Sequence, residues 1–394
     1  MATEVSSLSF DDLSVAFASK SDAQLRKTYW LFAAMNNQSL MKLGTSSMNT
    51  ALKWHLPISG LIKATIFGQF CGGETIEECE ATLNDLGKYN IGTILDYSVE
   101  GEKTEAGFDA TMHETIATVE KAAKAKHIPF SVFKITGLAS FDLLAKMQTK
   151  EAKSNDDLQA FERVKARIEA ICQRAHDLNV RIFIDAEESW IQDTIDQLTY
   201  AMMERFNKKQ PIVYNTYQFY RWATLPALQQ AVFEAKSKGY QLGAKLVRGA
   251  YMEKERARAK ANGYADPIQP SKEASDKDFD AAMLFCLEHL ETVAFCAGTH
   301  NENSSLLLAQ EMNKRGIQPN NQRIWFAQLL GMSDNISYNL ANAGYNVAKY
   351  VPYGPVASVM PYLIRRAQEN TSIAGQSSRE YMLINREMER RKTK

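Results

Sequence analysis

The sequence lacks the features that mark several large protein classes. Its five cysteines are odd in number and far apart, and no Cys-x-x-Cys pair or Cys/His cluster occurs. Neither a disulfide framework nor a structural zinc site is therefore predicted. No run approaches 18 consecutive apolar residues, the length that suggests a membrane-spanning helix. Basic and acidic residues number 46 each, so no net charge draws the chain to nucleic acid or to an anionic membrane.

The start of the sequence also lacks the signals of export and of organelle import. It has no secretory hydrophobic core, and Glu4, Asp11, Asp12 and Asp22 precede its first arginine, Arg26. Mitochondrial transit peptides are rich in arginine and poor in acids, so this pattern argues against one. We therefore expect a soluble, cytoplasmic protein.

Several cofactor and catalytic motifs are absent as well. The sequence contains no GxGxxG, GxxxxGK[ST], HExxH or GxSxG. A nicotinamide cofactor on a Rossmann turn and a P-loop nucleotide are therefore unsupported.

From residue 91 onward, short runs rich in β-branched and apolar residues alternate with helical patterns. The runs are 91–99, 130–137, 181–189, 212–220, 242–250, 292–300, 323–331 and 346–354. Strands that alternate with helices pair in parallel through right-handed crossovers, and eight such units match a (β/α)8 barrel. A doubly wound open sheet is the alternative, because one miscounted strand would give it.

The rest of the chain flanks this repeat. Residues 1–90 are predicted to form an N-terminal helical arm, since apolar residues recur there at three- and four-residue spacing. Residues 91–380 would form the catalytic barrel, and residues 381–394 a charged C-terminal tail.

Polar residues gather where the predicted strands end. They are Asp96, Glu100, Lys134, Asp185, Glu187, Gln218, Lys245, Arg248, His300, Gln328 and Tyr350. The C-terminal ends of barrel strands meet at one mouth, where the active sites of such barrels lie. Charged side chains are also rarely buried unless they are paired. The pattern therefore predicts a polar site at the mouth of the barrel.

Lys134 and Asp185 are the most informative of these residues. Lys134 lies inside an apolar strand, where it is a barrel lysine paired with a carboxylate, a Schiff-base amine as in an aldolase, or a clamp for a substrate anion. Asp185 is its partner, a general base, or a metal ligand together with Glu187. Two carboxylates alone are a weak metal signal, so no metal is predicted.

The segment that follows the fifth strand, KLVRGAY, is distinctive. Side chains alternate along a strand, so Lys245 and Val247 are expected on one face and Arg248 on the other. Gly249 and Ala250 would allow another group to approach the backbone closely.

Two other places carry charge that suits an anion. His300 closes a predicted strand and opens a helix, whose N-terminal N–H groups attract anions. Arg365 and Arg366 lie on a predicted helix after the eighth strand, where the carboxylate of Glu369 can reach both guanidiniums. The arginines are either a solvated ion-pair face or a grip for a small carboxylate or phosphate.

These segments resemble the FAD-dependent proline dehydrogenase family. The matching motifs are FIDAEE, KLVRGAY, THN, FAQLLGM and YVPYGPV followed by YLIRRAQEN, in the family's order from about residue 91 to 380. The resemblance implies a TIM-type barrel with an N-terminal helical extension and a final helix that covers the mouth. KLVRGAY is the mitochondrial-type form, and no stretch resembles the aldehyde dehydrogenase half of the bifunctional bacterial proteins, so a monofunctional enzyme is implied.

The resemblance also implies the reaction and the substrate contacts. L-Proline would be oxidised to Δ1-pyrroline-5-carboxylate, the first step of proline degradation, by hydride transfer from C5 to N5 of FAD. The implied substrate ligands are Arg365, Arg366 and Lys134 on the carboxylate, with Glu369 and Glu100 beside the arginines. Lys134, Asp185 and Tyr350 are the implied catalytic residues. Hydroxyproline-oxidising relatives carry a smaller residue at the Tyr350 position, which favours proline here.

The implied cofactor contacts surround the fourth to sixth strands. They are Gln218, Lys245, Val247, Gly249, Ala250, Tyr251, Thr299, His300 and Lys272. Lys245 stands where the bifunctional branch has an arginine beside flavin N5; both are cations, but lysine lacks the planar fork. The reduced flavin would pass electrons to a quinone, with transient peripheral contact at the inner membrane. A separate pyrroline-5-carboxylate dehydrogenase is a further implied partner. A Schiff-base lyase or aldolase that uses Lys134, and a hydroxyproline dehydrogenase, are the alternative functions.

Overall fold

The computed structural model describes residues 8–37, 59–98, 102–372 and 376–393. Within these residues, eight strands follow one another around a closed barrel. They are β1 Ile91–Tyr97, β2 Phe130–Lys134, β3 Arg181–Asp185, β4 Val213–Gln218, β5 Leu242–Val247, β6 Val293–Gly298, β7 Ile324–Leu329 and β8 Val347–Tyr353. This confirms the predicted (β/α)8 barrel and excludes the open sheet. Each strand ends one to four residues before its predicted run does, and the last described residues of each run lie in the loop, turn or helix that follows the strand.

Helices connect the strands and flank the barrel. Their bounds are Leu13–Ala16, Asp22–Met35, Ser59–Ile62, Gly68–Phe70, Glu80–Gly87, Glu105–Lys124, Phe141–Gln148, Asn155–Asp177, Ser189–Phe206, Thr224–Lys238, Met252–Asn262, Lys272–Glu288, Glu302–Lys314, Asp334–Asn342, Val356–Ser372 and Gln376–Lys392, with a π-helix at Lys63–Phe67 and a 3-10 turn at Ile135–Gly137. Thr104, Ser140 and Ser154 each accept a backbone N–H from the first turn that follows them, as good N-caps do. None of the described helices is both long and apolar enough to cross a membrane.

An aromatic layer fills the barrel beneath the charged residues of β2 and β3. The rings of Phe130 and Phe183 stack with their centroids 4.3 Å apart, and Tyr214 meets Phe183 nearly edge-on at 5.5 Å. In the register of β2 and β3, Lys134 is opposite Asp185. Because side chains alternate along a strand, Lys134 and Asp185 share a face with Phe130 and Phe183 and lie nearer the C-terminal strand ends.

The chain divides into two compact units. The barrel unit comprises residues 101–327 and 344–348, and the terminal unit comprises residues 1–100, 328–343 and 349–394. The barrel unit contains β2 to β6 in full, while the terminal unit contains β1 and most of β8.

The terminal unit joins distant parts of the chain in one apolar core. Its buried members include Phe32, Phe70, Val359, Leu363 and Ile384. Helix Gln376–Lys392 includes most of the segment 381–394, which was predicted to be a charged tail, and it contributes Ile384 to this core.

Candidate active site

The ends of β2, β3 and β5 bring three predicted site residues together. The Asp185 carboxylate accepts a hydrogen bond from the Lys245 ammonium and lies 3.6 Å from the Lys134 ammonium. The Lys245 side chain is 7% exposed and that of Asp185 13%, whereas Lys134 keeps 24%. One carboxylate thus holds two cations, which confirms the interpretation of Lys134 as paired with a carboxylate on the neighbouring strand.

This geometry fixes the charge state of Asp185. Burial on its own raises the pKa of a carboxyl group, but the charges and hydrogen bonds of Lys245 and Lys134 outweigh burial here and hold the pKa of Asp185 below its usual value. Asp185 is therefore a hydrogen-bond acceptor at neutral pH. The Lys245 ammonium also lies 5.5 Å from the centroid of the Phe183 ring, and such a cation–π contact helps to hold a buried ammonium.

Glu187 has different partners from Asp185. Its carboxylate accepts the backbone N–H of Thr136 at 3.0 Å and also the Thr136 hydroxyl. Burial raises the pKa of Glu187 to about 7, although these two bonds act in the opposite direction. Because Thr136 lies two residues after Lys134, Glu187 ties the turn that follows β2 to the end of β3. Among the residues that the structure describes, no group of three or more His, Cys, Asp or Glu is arranged to hold a metal ion.

The Gln218 side chain bridges the ends of two other strands. Its Nε2 donates to the carbonyl oxygen of Glu187 at 2.7 Å, and its Oε1 accepts the N–H of Ala250 at 3.3 Å. These bonds fix the orientation of the amide. Gln218 is also opposite Val247 in the register of β4 and β5. Three of the predicted cofactor contacts, Gln218, Val247 and Ala250, therefore lie together.

The turn after β5 has a conformation that favours glycine. Gly249 has a φ of 136°, and a Cβ atom added there would lie 2.4 Å from the Tyr220 ring. Tyr251 lies just before helix Met252–Asn262, and the Lys254 ammonium is 5.5 Å from the centroid of its ring. The prediction that the backbone is closely approached here is confirmed, and the approaching group is Tyr220.

Arg248 follows β5, and its side chain lies on the opposite side from that of Lys245, as the alternation of side chains predicts. Its guanidinium donates to the Thr299 hydroxyl at 2.7 Å and to the Asp276 carboxylate. Asp276 also accepts a hydrogen bond from Lys272 at 2.6 Å. Thr299 and Lys272, both predicted cofactor contacts, are thus connected through Arg248 and Asp276, which were not predicted to contact the cofactor. His300 follows β6 and is half-buried.

The terminal unit holds the remaining predicted residues. Tyr350 on β8 is 7% exposed, and its carbonyl accepts the N–H of Leu330 at 2.8 Å. Arg365 and Arg366 are half-buried on helix Val356–Ser372. That helix follows β8 as predicted, although helix Gln376–Lys392 comes after it. The side chain of Glu369 lies outside the described residues, and so does the whole of Glu100.

The terminal unit also contains a buried polar cluster that was not predicted from the sequence. Lys349 is 1% exposed and donates to the Asp334 carboxylate and to the Met332 carbonyl, both at 2.7 Å. The Glu380 carboxylate accepts the N–H of Ser333 at 2.7 Å, and burial raises the pKa of Glu380 to about 7. These bonds fix the loop after β7. A lysine inside the apolar run NVAKYV is the same kind of signal that singled out Lys134.

Gln328 was expected at the mouth of the barrel because it lies at the end of a strand. Its Oε1 instead accepts a hydrogen bond from the Ser337 hydroxyl at 2.8 Å, on helix Asp334–Asn342. Gln328 does lie near the end of β7, but its side chain is on the face of the strand that packs against this helix. We therefore do not include Gln328 in the candidate site.

Comparison with known proteins agrees with this architecture. A model of the proline dehydrogenase family matches residues 79–379. Mitochondrial proline dehydrogenase 1 of Dictyostelium discoideum is 33% identical, over 96% of this chain and 74% of its own length. Hydroxyproline dehydrogenase of Xenopus laevis is 31% identical, over 98% of this chain and 90% of its own length.

A solved structure also shares the fold. Proline utilization A of Bdellovibrio bacteriovorus, inactivated by N-propargylglycine, matches with a TM-score of 0.76 at 19% identity. The match covers 94% of this chain and 41% of that one, so the chain spans less than half of that protein. Since the family model spans more than half of the sequence and two relatives above 30% identity span nearly all of it, the chain belongs to the proline dehydrogenase family.

Proposed function

We propose that this protein oxidises L-proline to Δ1-pyrroline-5-carboxylate, the first step of proline degradation. The observation that carries the proposal is the buried Lys134–Asp185–Lys245 cluster in a chain of the proline dehydrogenase family. Proline is a zwitterion, with a carboxylate beside a cationic ring nitrogen. A site that offers both cations and a carboxylate complements these two charges.

FAD is the cofactor that we propose, and the residues of the barrel unit fit it. The buried Lys245 ammonium is a hydrogen-bond donor that suits a flavin ring nitrogen, and the Gln218 amide is held by two protein bonds. When bound, FAD would supply the redox chemistry by accepting hydride from C5 of the substrate. The further proposed contacts are Val247, Gly249, Ala250, Tyr251, Thr299, His300 and Lys272.

The substrate residues act in this proposal by binding and orientation. Arg365 and Arg366 pair with the proline carboxylate as planar, permanently charged donors, and Lys134 adds a third cation. Asp185 stays ionised because two ammonium groups face it, so it can accept a hydrogen bond from the ring nitrogen. Tyr350 lines the ring. Holding the reacting carbon in one position is itself a large part of catalysis.

The remaining roles rest on the family resemblance. Glu369 and Glu100 are proposed to steady the arginine pair, and a quinone to accept the electrons. We propose a cytoplasmic enzyme that touches the periphery of the inner membrane, with a separate pyrroline-5-carboxylate dehydrogenase as a partner. The division into an arm (1–90), a catalytic barrel (91–380) and a tail (381–394) also stays a proposal.

Flavin spectroscopy and turnover test the proposal together. The purified protein should show flavin absorbance or acquire it with added FAD, and L-proline should bleach that absorbance under anaerobic conditions. N-propargylglycine, which inactivates the Bdellovibrio protein, should inactivate this protein as well. The proposed function would be refuted if the protein bound no flavin, or if proline did not reduce the flavin that it bound.

The Arg365→Met variant tests the carboxylate clamp. Losing one guanidinium should raise KM for proline about tenfold or more, because a charge-assisted hydrogen bond contributes about 1.5–3 kcal/mol. The matched control is Arg163→Met, which removes a 50% exposed arginine paired with Glu105 and should leave KM unchanged. An unchanged KM in Arg365→Met would show that the clamp is wrongly assigned.

Hydroxyproline oxidation is the second candidate function. The similarity to the Xenopus laevis hydroxyproline dehydrogenase along 98% of this chain favours testing it. The ratio of kcat/KM for L-proline to that for trans-4-hydroxy-L-proline decides between the two substrates. We expect a ratio well above one, because the buried Tyr350 leaves less room for a ring hydroxyl.

A Schiff-base lyase or aldolase is the remaining alternative. Such an enzyme needs a neutral amine as nucleophile, whereas the ion pair between Lys134 and Asp185 favours the ammonium form. Borohydride trapping with substrate would reveal a covalent adduct on Lys134, and we expect none.

A further inference from the structure

A glutamate from the N-terminal part of the chain caps the helix that carries the arginine pair. The Oε1 atom of Glu74 accepts the backbone N–H of Val356 at 2.9 Å. Val356 is the first residue of helix Val356–Ser372, so its N–H is one of the donors that the helix itself cannot satisfy. A carboxylate at this end also interacts favourably with the helix dipole.

The residues before Glu74 are fixed to the end of β8. The N–H of Gly72 donates to the Pro352 carbonyl at 2.9 Å, and the N–H of Gly354 donates to the Gly73 carbonyl at 3.2 Å. A Cβ atom at Gly72 would lie 2.5 Å from the Val351 side chain, so only glycine lets the two backbones approach this closely. Gly73 therefore forms an isolated parallel β-bridge with Tyr353 of β8, and the next residue, Glu74, caps the helix that follows β8.

The Glu74 side chain is itself held in place. Its carboxylate forms an ion pair with the Lys63 ammonium, and it is 29% exposed. The hydrogen bond from Lys63, and then that from Val356, hold the pKa of Glu74 below its usual value. The cap is therefore ionised at neutral pH. Lys63 opens the π-helix Lys63–Phe67, so a single carboxylate connects that helix with the helix of the arginine pair.

A change in this cap can displace the arginines, because they lie further along the same helix. Arg365 lies nine residues after Val356, which corresponds to roughly 14 Å along a helix axis. A tilt of about 5° at the first turn would therefore move the Arg365 backbone by roughly 1 Å, given that length. A displacement of this size is larger than the distance range of a charge-assisted hydrogen bond, so it would weaken the contact between the arginines and the substrate carboxylate.

We propose that Glu74 is a positioning residue for substrate binding: it sets the helix that presents Arg365 and Arg366 to the substrate carboxylate. This inference rests on the proposed function, in which those arginines bind the carboxylate. Glu74 acts only through the helix and has no contact with substrate.

The Glu74→Ala variant should raise KM for L-proline about tenfold while kcat stays within about twofold. A tenfold change corresponds to about 1.4 kcal/mol. The Glu74→Gln variant keeps an acceptor oxygen for the Val356 N–H, and it should stay within about threefold of the wild type. The control Asp85→Ala removes an exposed ion pair with Lys88 in the same unit and should change neither constant.

Pyrrolidine separates positioning from general loosening, because it is proline without the carboxylate. Its inhibition constant against proline should be the same in Glu74→Ala and the wild type, since it never contacts the arginines. Equal weakening of pyrrolidine and proline would show a loosened fold and overturn the inference. An unchanged KM for proline in Glu74→Ala would also overturn the inference, but it would leave the proposed function standing. A wild type that oxidises no proline would overturn the proposed function itself and this inference with it.

Discussion

Replacing Asp185 with asparagine should destabilise the protein more than replacing either lysine that it binds. Asp185 is the one negative group in a three-residue cluster with Lys134 and Lys245. Asp185→Asn leaves two ammonium groups near each other in the barrel interior without the carboxylate between them. Lys245→Met leaves the carboxylate with one cation, Lys134, still in place.

The expected costs follow from burial. Removing one partner of a buried ion pair costs about 3–5 kcal/mol, because the other charge stays buried. We expect a loss in this range for Asp185→Asn. For Lys245→Met we expect roughly half of it, because Lys134 still compensates Asp185. Lys134→Met should cost less than about 1 kcal/mol, as its side chain keeps 24% exposure.

Urea unfolding at pH 7, followed by far-UV circular dichroism, measures these differences as changes in midpoint at constant slope. Lys238→Met is the matched control, since Lys238 lies 3.2 Å from Glu204 and the two side chains are 49% and 50% exposed; its effect should stay below about 1 kcal/mol. If Lys245→Met destabilised the protein as much as Asp185→Asn, the assignment of Asp185 as the shared counter-ion would be refuted.

The dependence of stability on pH in the acid range is an independent check of the same prediction. The pKa of Asp185 is lower in the folded state than its usual 3.8. Its contribution to stability is therefore fully present above pH 3.8 and is lost as the pH falls through the folded-state pKa. The wild type should lose stability below about pH 4 more steeply than Asp185→Asn.

Two further predictions concern buried acids and the turn after β5. Burial raises the pKa of Glu187 and of Glu380 to about 7, so each should make the free energy of unfolding fall as the pH rises from about 4.5 to 7, by up to about 1.4 kcal/mol per pH unit. Glu187→Gln and Glu380→Gln should each flatten that slope in pH-dependent urea unfolding; an unchanged slope would contradict the assignment. Gly249→Ala should lower Tm more than Gly239→Ala. Both glycines have positive φ, but only at Gly249 would the new Cβ meet the Tyr220 ring, so equal shifts would contradict the contact.

The sequence was sufficient to predict the barrel because the information for it is local. Strand and helix periods, and a polar residue at each strand end, can be counted along the chain. Strand alternation also placed Lys245 and Arg248 correctly on opposite faces. For Gln328, position at the end of a strand was a misleading signal, because its side chain accepts a hydrogen bond from Ser337 on a flanking helix.

The interactions that sequence reasoning missed join residues that are far apart in the chain. Glu74 and Val356 are separated by 282 positions, and no periodic pattern connects a carboxylate in one segment with a backbone N–H in another. One signal was nevertheless available. Gly72 and Gly73 are adjacent glycines before an acid, and paired glycines indicate close backbone approach. These glycines indicate that another group packs closely against the backbone at this point, but they do not identify that group.

The same long separation has a consequence for how the protein is made. On a ribosome that adds about 5–20 residues per second, Val356 is synthesised roughly 15 to 60 s after Glu74. The barrel unit is nearly continuous in sequence, so most of it can fold during that interval. The first hundred residues have to wait for the last fifty to complete their core. Until then, Phe32 and Phe70 lack the partners Val359 and Leu363, so we expect the nascent N-terminal region to be a target for chaperones, which protect exposed apolar surface during synthesis.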